Sequence, residues 1–188
     1  MSRYAEMWPK YAAWWNQMAY RPGREAEFVN YAHFAVDHKQ RYVDVDTTVP
    51  WYLIALLHRR ESDANFDTYL GNGQSLHHVT TIGPRGRGPF ASFEAGARDA
   101  LRVDGLTSVL DWRLEKIFYY CELFNGLGYA MRGIPSPYIW GGTTIQHPGK
   151  YVGDGQWNGN AWDGQPGCAP ILKAMMLLDS TIAPERET

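Results

Sequence analysis

One stretch constrains the fold more than any other: an apolar segment that runs directly into a glutamate and then into a polar loop. It spans Val49 to Asn72 and reads VPWYLIALLHRRESDANFDTYLGN. Pro50 suits the first turn of a helix, and Thr47 or Thr48 can cap that turn. Four apolar residues form a face broad enough to be buried: Leu53, Ile54, Leu56 and Leu57. The pattern predicts a core helix that carries Glu61 at its C-terminal end.

Glu61 lies where the pKa of a carboxyl group is expected to rise. The negative pole of the helix dipole and the apolar neighbours on the preceding turns both disfavour the charged form. A carboxylic acid that stays protonated near neutral pH can protonate the leaving oxygen of a glycosidic bond. The alternative is a solvated or ion-paired helix end, because Arg59 and Arg60 directly precede Glu61.

Several further motifs follow in a fixed order along the chain. They read VPWY, HRRES, NFDTYLGNG, FNGLGY, SPYIW, GKYVGDG and CAPILK. From about Val49 to Leu178 the chain resembles the lysozyme-like superfamily, in particular phage endolysins and bacterial lysozyme-family domains related to goose-type lysozymes and soluble lytic transglycosylases. It departs from that pattern at Gln74, where relatives often carry an acidic residue, and at Phe124, where Tyr is common.

The resemblance implies a mainly α chain with a lysozyme-like fold and a small β-hairpin wing beside the cleft. We expect one catalytic domain over residues 1–188, with residues 1–45 as a helical segment packed on it and no separate wall-binding domain. The implied function is that of a peptidoglycan-degrading endolysin. Such an enzyme cleaves the β-1,4 bond between N-acetylmuramic acid and N-acetylglucosamine in the glycan strands.

Two chemistries and one non-enzymatic alternative remain open. In hydrolysis, Glu61 acts as general acid and a second group activates water, with Asp67 and Thr81 as the candidates. In lytic transglycosylation, Glu61 takes a proton from the sugar's own hydroxyl and a 1,6-anhydro product forms without a second acid. The alternative from another class is a non-catalytic glycan-binding module or a structural virion component.

The substrate-binding candidates are polar and aromatic residues of the motifs. Sugar rings stack their CH faces on aromatic side chains, while amides bind hydroxyl and acetamido groups. The competing interpretation is structural: Asn125 and Gly126 can simply end a helix, and aromatics can anchor a coil. The candidates are Ser62, Asn72, Asn125, Tyr129, Tyr138 and Tyr151.

The remaining helices follow from periodicity and capping. Helices are predicted over Tyr4–Tyr20 and Glu25–Lys39, and another over Phe93–Arg102 with Ser92 as its cap. A long helix is predicted from Ser108 to Asn125. A final helix over Pro170–Asp179 precedes residues that are expected to fray.

Glycine and proline breakers exclude a long helix between Phe66 and Phe90. Here we expect the wing, with Thr68–Leu70 pairing with Val79–Ile82. Histidines at 58, 77 and 78 suggest a metal, but no remaining ligand has convincing spacing, so we expect neither a metal nor a cofactor.

Composition sets the broad class. A chain of 188 residues with 45% hydrophobic and 20% charged residues can bury one sizeable core without staples. The net charge of −2 and the lack of a Lys/Arg block argue against a nucleic-acid partner. Cys121 and Cys168 match no disulfide framework or metal spacing, which favours small buried residues in a reduced compartment over a single bridge.

The first residues lack the features of a signal peptide, and no apolar run reaches transmembrane length. We therefore expect a monomer that does not insert into membranes and that stays in the host bacterial cytoplasm until release to the periplasm and cell wall. Access would depend on a separate membrane-permeabilising partner. A virion-associated enzyme is the alternative.

Overall fold

The computed structural model describes residues 3–46, 48–153 and 155–188. Within these ranges helices dominate, and a two-stranded antiparallel sheet is the regular β-structure. The expectation of a mainly α chain is therefore confirmed, and the small sheet lies outside the segment in which the hairpin was expected. The chain divides into two compact units, which we call the middle unit, Phe34–Trp112, and the terminal unit, which joins the residues up to His33 with Arg113–Thr188. The single domain of residues 1–188 stays a prediction.

The elements are named in chain order. The helices are α1 Arg3–Gln17, α2 Glu25–Asp37, α3 Lys39–Val43, α4 Trp51–Ser62, α5 Phe93–Val103, α6 Leu114–Asn125, α7 Gly128–Arg132, α8 Pro137–Trp140 and α9 Cys168–Leu178. A 3-10 turn, Leu106–Ser108, follows α5. The strands β1 Lys150–Gly153 and β2 Gln156–Asn158 form the antiparallel hairpin, with Tyr151 opposite Trp157.

The predicted core helix is α4, in the middle unit. Every residue from Leu53 to His58 is fully buried. Six consecutive residues go right round a helix, so these turns are enclosed on all sides. The predicted cap is wrong: Pro50 occupies the N-cap position, with no side-chain hydrogen bond there. Thr48 instead donates from its amide and its hydroxyl to Asp46 Oδ1, at 2.7 and 2.6 Å. Thr47 lies outside the described residues.

The strand pairing predicted after α4 is also wrong. Thr68 forms its bridge with Ser75, and the amide of Tyr69 donates to the carbonyl of Gln74 at 2.6 Å. A tight turn ending at Gly73 makes this closer pairing accessible, because its φ of +72° is a conformation open to glycine. The segment Val79–Ile82 therefore has no strand partner in Thr68–Leu70, and the hairpin that does form lies in the terminal unit.

Helix α5 agrees closely with its prediction, but the next helix begins late. Ser92 caps α5 by accepting a hydrogen bond from the amide of Ala95 at 3.3 Å. The helix expected from Ser108 starts only at Leu114. Val109 is extended, with ψ at 132°, and Trp112 Nε1 donates to the carbonyl of Thr48 at 2.8 Å. Tertiary contact thus overrides the helical periodicity of this segment.

Aromatic side chains form the core of the terminal unit. Phe118 of α6 contacts Tyr11 and Trp15 of α1, with ring centroids 6.3 and 5.5 Å apart. It also contacts Trp140 of α8 at 5.2 Å. Cys121 and Cys168 are both buried, as predicted for small core residues.

The last residues of the chain are held rather than frayed, which corrects the prediction. The amide of Leu114 donates to the carbonyl of Glu185 at 2.8 Å. Glu115, fully buried on α6, accepts from Arg186 Nε at 2.6 Å and from the amide of Glu187 at 2.9 Å. A buried carboxylate that needs partners therefore captures the tail. Across the described ranges, none of the helices has both the length and the apolar character that crossing a bilayer requires.

Candidate active site

Glu61 lies in the last turn of α4 and is half-buried. The chain turns sharply after it, because Asp63 and Ala64 adopt left-handed φ values of 53° and 61°. Consecutive left-handed residues with side chains are uncommon and require support from their surroundings. The carbonyl of His58 supplies it, accepting from the amides of Asp63 and Ala64 and from the Ser62 hydroxyl. The hydroxyl proton of Ser62 is thus already engaged at 3.2 Å.

A loop of the middle unit packs directly on the main chain of Glu61. A Cβ added at Gly73 would lie 2.7 Å from the Glu61 carbonyl oxygen, closer than real Cβ atoms approach. Only glycine can hold this position, on grounds of both space and its positive φ. The turn from the NFDTYLGNG motif is therefore seated against the end of the helix that carries the acid.

Gln74 fixes the next part of this loop through both ends of its amide. Its Oε1 accepts from the amides of Thr81 and Ile82 at 2.8 and 3.1 Å. Its Nε2 donates to Thr81 Oγ1 at 3.0 Å. Asn72 completes the connection by donating from Nδ2 to the Ile82 carbonyl at 3.2 Å. The residue that departs from the family pattern thus holds two site candidates, Asn72 and Thr81, together.

Asp67 has its main chain fixed and its carboxylate exposed. Its amide donates to Asn65 Oδ1 at 2.9 Å, and its carbonyl accepts from the amide of Leu76 at 3.0 Å. Of the predicted middle-unit candidates, Glu61 contacts the loop through its carbonyl at Gly73, and Gln74 links Asn72 with Thr81. Ser62 follows Glu61 in the chain and binds the carbonyl of His58. Asp67 belongs to the same loop.

A buried carboxylate that sequence reasoning missed anchors the loop to α5. Asp99 is 8% exposed and accepts from Tyr69 Oη at 3.0 Å and from Arg87 Nε at 2.8 Å. Arg102 Nη2 adds a further hydrogen bond at 3.1 Å. The hydrogen bond from Arg87 is the main reason that the pKa of Asp99 lies below its ordinary value. The sequence feature that could have predicted this burial is the position of Asp99 beside the apolar face of an amphipathic helix.

His58, one turn before Glu61, is a core residue. Its ring centroid lies 4.7 Å from that of Phe66 and 4.3 Å from that of Phe93. Burial lowers the pKa of His58 to about 4, so the imidazole is neutral near pH 7. Its Nδ1 lies 3.0 Å from Tyr42 Oη. These contacts indicate support for the end of α4.

The terminal unit contains the other predicted binding residues. Asn125 is exposed and is the last residue of α6, followed by Gly126 with φ at 92°, an arrangement that suits the helix-ending alternative. Tyr129 and Tyr151 contact each other, with centroids 5.4 Å apart. Tyr138 is only 3% exposed, so little of its ring is available for stacking on a sugar. The binding roles of these residues stay predictions.

The terminal unit also buries a glutamate that is hydrogen-bonded to a tyrosine, and the sequence pattern did not predict this pair. Glu122 is 1% exposed, and Tyr11 donates its hydroxyl to Glu122 Oε2 at 2.5 Å. Burial raises the pKa of Glu122 from 4.5 to about 6, although the Tyr11 hydrogen bond opposes the rise. Glu122 lies one turn after Phe118 and interrupts the apolar stripe of α6. That interruption is the sequence feature that could have predicted a buried acid.

In the part of the chain that the structure describes, no three His, Cys, Asp or Glu side chains cluster as a metal site would require. The end of α4 and the loop packed on it present carboxyl, amide and hydroxyl groups. Comparison of the chain with protein-family models, with curated proteins and with solved structures found no match in any of the three.

Proposed function

We propose that this protein degrades peptidoglycan by cleaving the β-1,4 bond between N-acetylmuramic acid and N-acetylglucosamine, with Glu61 as general acid and base. The ordered motifs that resemble lysozyme-like enzymes support the proposal. So does the chemistry of the loop, which offers amide, hydroxyl and carboxyl groups near the end of α4.

The observation that carries the proposal is the seating of Gly73 on the carbonyl of Glu61. A general acid must hold its proton within hydrogen-bond reach of the leaving oxygen, so its position must be fixed. Glu61 is fixed on one side by a buried helix and on the other by a loop that tolerates no Cβ at its contact point. Its half-buried side chain still retains access to solvent.

Two routes of bond cleavage fit these residues. In hydrolysis, Glu61 protonates the glycosidic oxygen while Asp67 or Thr81 orients water for attack at the anomeric carbon. Thr81 accepts a hydrogen bond from Gln74, which leaves its hydroxyl proton available to a water molecule. In transglycosylation, Glu61 first protonates the glycosidic oxygen as its bond to the anomeric carbon breaks. The 6-hydroxyl of N-acetylmuramic acid then bonds to its own anomeric carbon and passes its proton to the Glu61 carboxylate, which restores the acid.

The test is Glu61→Gln, assayed on purified peptidoglycan. The amide is nearly isosteric but cannot donate an acidic proton, so turnover should fall at least about a hundredfold. The matched control is Asp63→Asn, which removes an exposed neighbouring carboxylate and keeps a residue that tolerates the left-handed conformation. Unchanged turnover in Glu61→Gln would remove this residue from the mechanism.

Mass analysis of the products separates the two routes. Reducing ends identify hydrolysis, and Asp67→Asn should then lower turnover strongly if Asp67 is the base. Anhydro ends identify transglycosylation, and Asp67→Asn should then have little effect. Binding of the wild-type protein to peptidoglycan without any cleavage would favour the glycan-binding alternative.

A further inference from the structure

Two sequence motifs, FNGLGY and GKYVGDG, meet in the terminal unit. Tyr129 and Arg132 lie three residues apart on α7 and therefore on one helix face. Tyr151 and Trp157 face each other across the β1 and β2 hairpin. The Trp157 ring centroid lies 5.7 Å from that of Tyr129 and 5.1 Å from that of Tyr151. We call these four residues the arginine–aromatic cluster.

Glycines allow the rings of the cluster to pack against the main chain. A Cβ at Gly128 would lie 2.9 Å from the Tyr151 ring, and a Cβ at Gly149 would lie 2.5 Å from the Trp157 ring. The amide of Tyr151 also donates to Tyr129 Oη at 3.3 Å. The hairpin is thus held closely against the α7 segment, and its aromatic rings have defined positions.

This arrangement holds the guanidinium of Arg132 without neutralising it. The central carbon lies 4.3 Å from the Trp157 centroid and 5.4 Å from the Tyr151 centroid, and Nε donates to Tyr151 Oη at 3.0 Å. The rings contact the guanidinium plane and the phenol accepts from Nε. The N–H groups of the two terminal nitrogens can therefore donate to a ligand. Arg132 is exposed, and within residues 3–46, 48–153 and 155–188 no carboxylate forms an ion pair with it.

The other arginines of this unit are committed to protein acceptors. Arg21 donates to the carbonyls of Thr143 and Gln146 at 2.8 and 2.6 Å. Arg186 pairs with the buried Glu115 at 2.6 Å. Arg132 differs because its contacts are with aromatic rings and a phenol, which orient a guanidinium but leave its charge available.

We propose that the arginine–aromatic cluster binds a carboxylate of the peptide stems in peptidoglycan. The inference rests on the proposed function and names the part of the substrate that this second site takes. A pre-oriented guanidinium binds carboxylates through paired hydrogen bonds. The glycan backbone is uncharged, whereas the stem peptides attached to the lactyl group carry carboxylates. Because the whole chain has a net charge of −2, it has no general positive field, and a local cation must supply the recognition.

The experiment compares two substrates: intact sacculi from a Gram-negative bacterium, and the same sacculi after carbodiimide coupling of their stem carboxylates to methylamine, which converts each carboxylate to a neutral amide and frees no new carboxylate. Arg132→Gln should lower kcat/KM on intact sacculi about tenfold and leave cleavage of the amidated sacculi unchanged, since only the intact sacculi offer a carboxylate for the ion pair. Arg132→Lys should recover part of the loss, because it keeps the charge without the fork. Arg3→Gln, at an exposed arginine paired with Glu6, is the control and should change neither rate.

An equal loss on both substrates would overturn the inference, since a purely structural role for Arg132 predicts it. A loss confined to Gram-positive walls that retain teichoic acid, tested as a third substrate, would also overturn it, because the ligand would then be a phosphate. If Arg132→Gln fails to fold, Tyr151→Phe removes the acceptor of Nε and keeps the ring, and it should lower the preference for intact sacculi in the same direction. If the wild type cleaves neither substrate, the proposed function fails, and co-sedimentation of wild type and Arg132→Gln with both substrates still decides the binding site.

Discussion

Replacing Glu122 with Gln tests whether the charge of this buried carboxylate lowers the stability of the folded protein. Burial raises the pKa of Glu122 from 4.5 to about 6 in the folded protein. The favourable contribution of the protonated form is fully present below pH 4.5 and is lost as the pH rises through 6. A difference of 1.5 pKa units corresponds to about 2 kcal/mol at neutral pH.

The informative quantity is the change in the stability difference between wild type and variant as the pH varies. Tyr11 can still donate to the amide oxygen, but the amide nitrogen enters the place of Oε1, a buried atom for which no well-formed hydrogen bond is present in the described structure. That defect lowers the stability of the variant by about 1–3 kcal/mol at every pH. From pH 5 to pH 8, however, the variant should gain about 1 kcal/mol relative to wild type, because it has no carboxylate to ionise.

Urea unfolding followed by tryptophan fluorescence at pH 5, 6, 7 and 8 measures this difference. Glu6→Gln, at an exposed glutamate of α1, is the control for the loss of a surface carboxylate. Tyr11→Phe should show a steeper loss of stability with rising pH than wild type, since the hydrogen bond that favours the carboxylate is removed. A flat profile for Glu122→Gln, or one of opposite slope, would refute the reasoning.

Three further predictions concern the middle unit. Gly73→Ala should abolish most lytic activity, whereas Gly86→Ala, with a similar φ of +75° but open space around its Cβ, should lose only about 1 kcal/mol of stability and remain active. Asp99→Asn should lower the free energy of unfolding by about 2 kcal/mol at pH 7, with a smaller effect as the pH falls through the depressed pKa of Asp99, as measured by urea unfolding. Gln74→Leu should speed tryptic cleavage after Arg85, because the amides of Thr81 and Ile82 lose their acceptor, while Gln74→Glu should be cut more slowly than Gln74→Leu.

The sequence pattern was sufficient where local chemistry decides the structure. Helix α4 carries Glu61 in its last turn as its pattern indicates, and Ser92 caps α5 as its position before an amphipathic segment predicts. Gly126 ends α6 for the same local reason. In each case propensity, capping and burial favour the same conformation.

The pattern failed where a distant partner decides the structure. Val79–Ile82 has strand propensity, but the amides of Thr81 and Ile82 donate to the Gln74 side chain, and the amide of Thr80 donates to the carbonyl of Arg87, so none of these three donates to a neighbouring strand. Residues Val109–Trp112 have helical spacing, but the Trp112 indole is bound by a carbonyl far away in the sequence. Buried acids such as Glu122 lie on helices where charge is usually exposed, so their role cannot be read from periodicity alone.

The contact between Gly73 and the Glu61 carbonyl constrains the number of residues in the chain between them. Adding or removing one residue between Ser62 and Asn72 would place a side chain, rather than a glycine, against that carbonyl and would rotate the turn away from it. The glycines of the segment Gly83–Arg87 make no comparably close contact, because a Cβ added at Gly83 or Gly86 would meet nothing within 4 Å. Among proteins descended from the same ancestor, insertions and deletions should therefore accumulate in the second segment and be absent from the first.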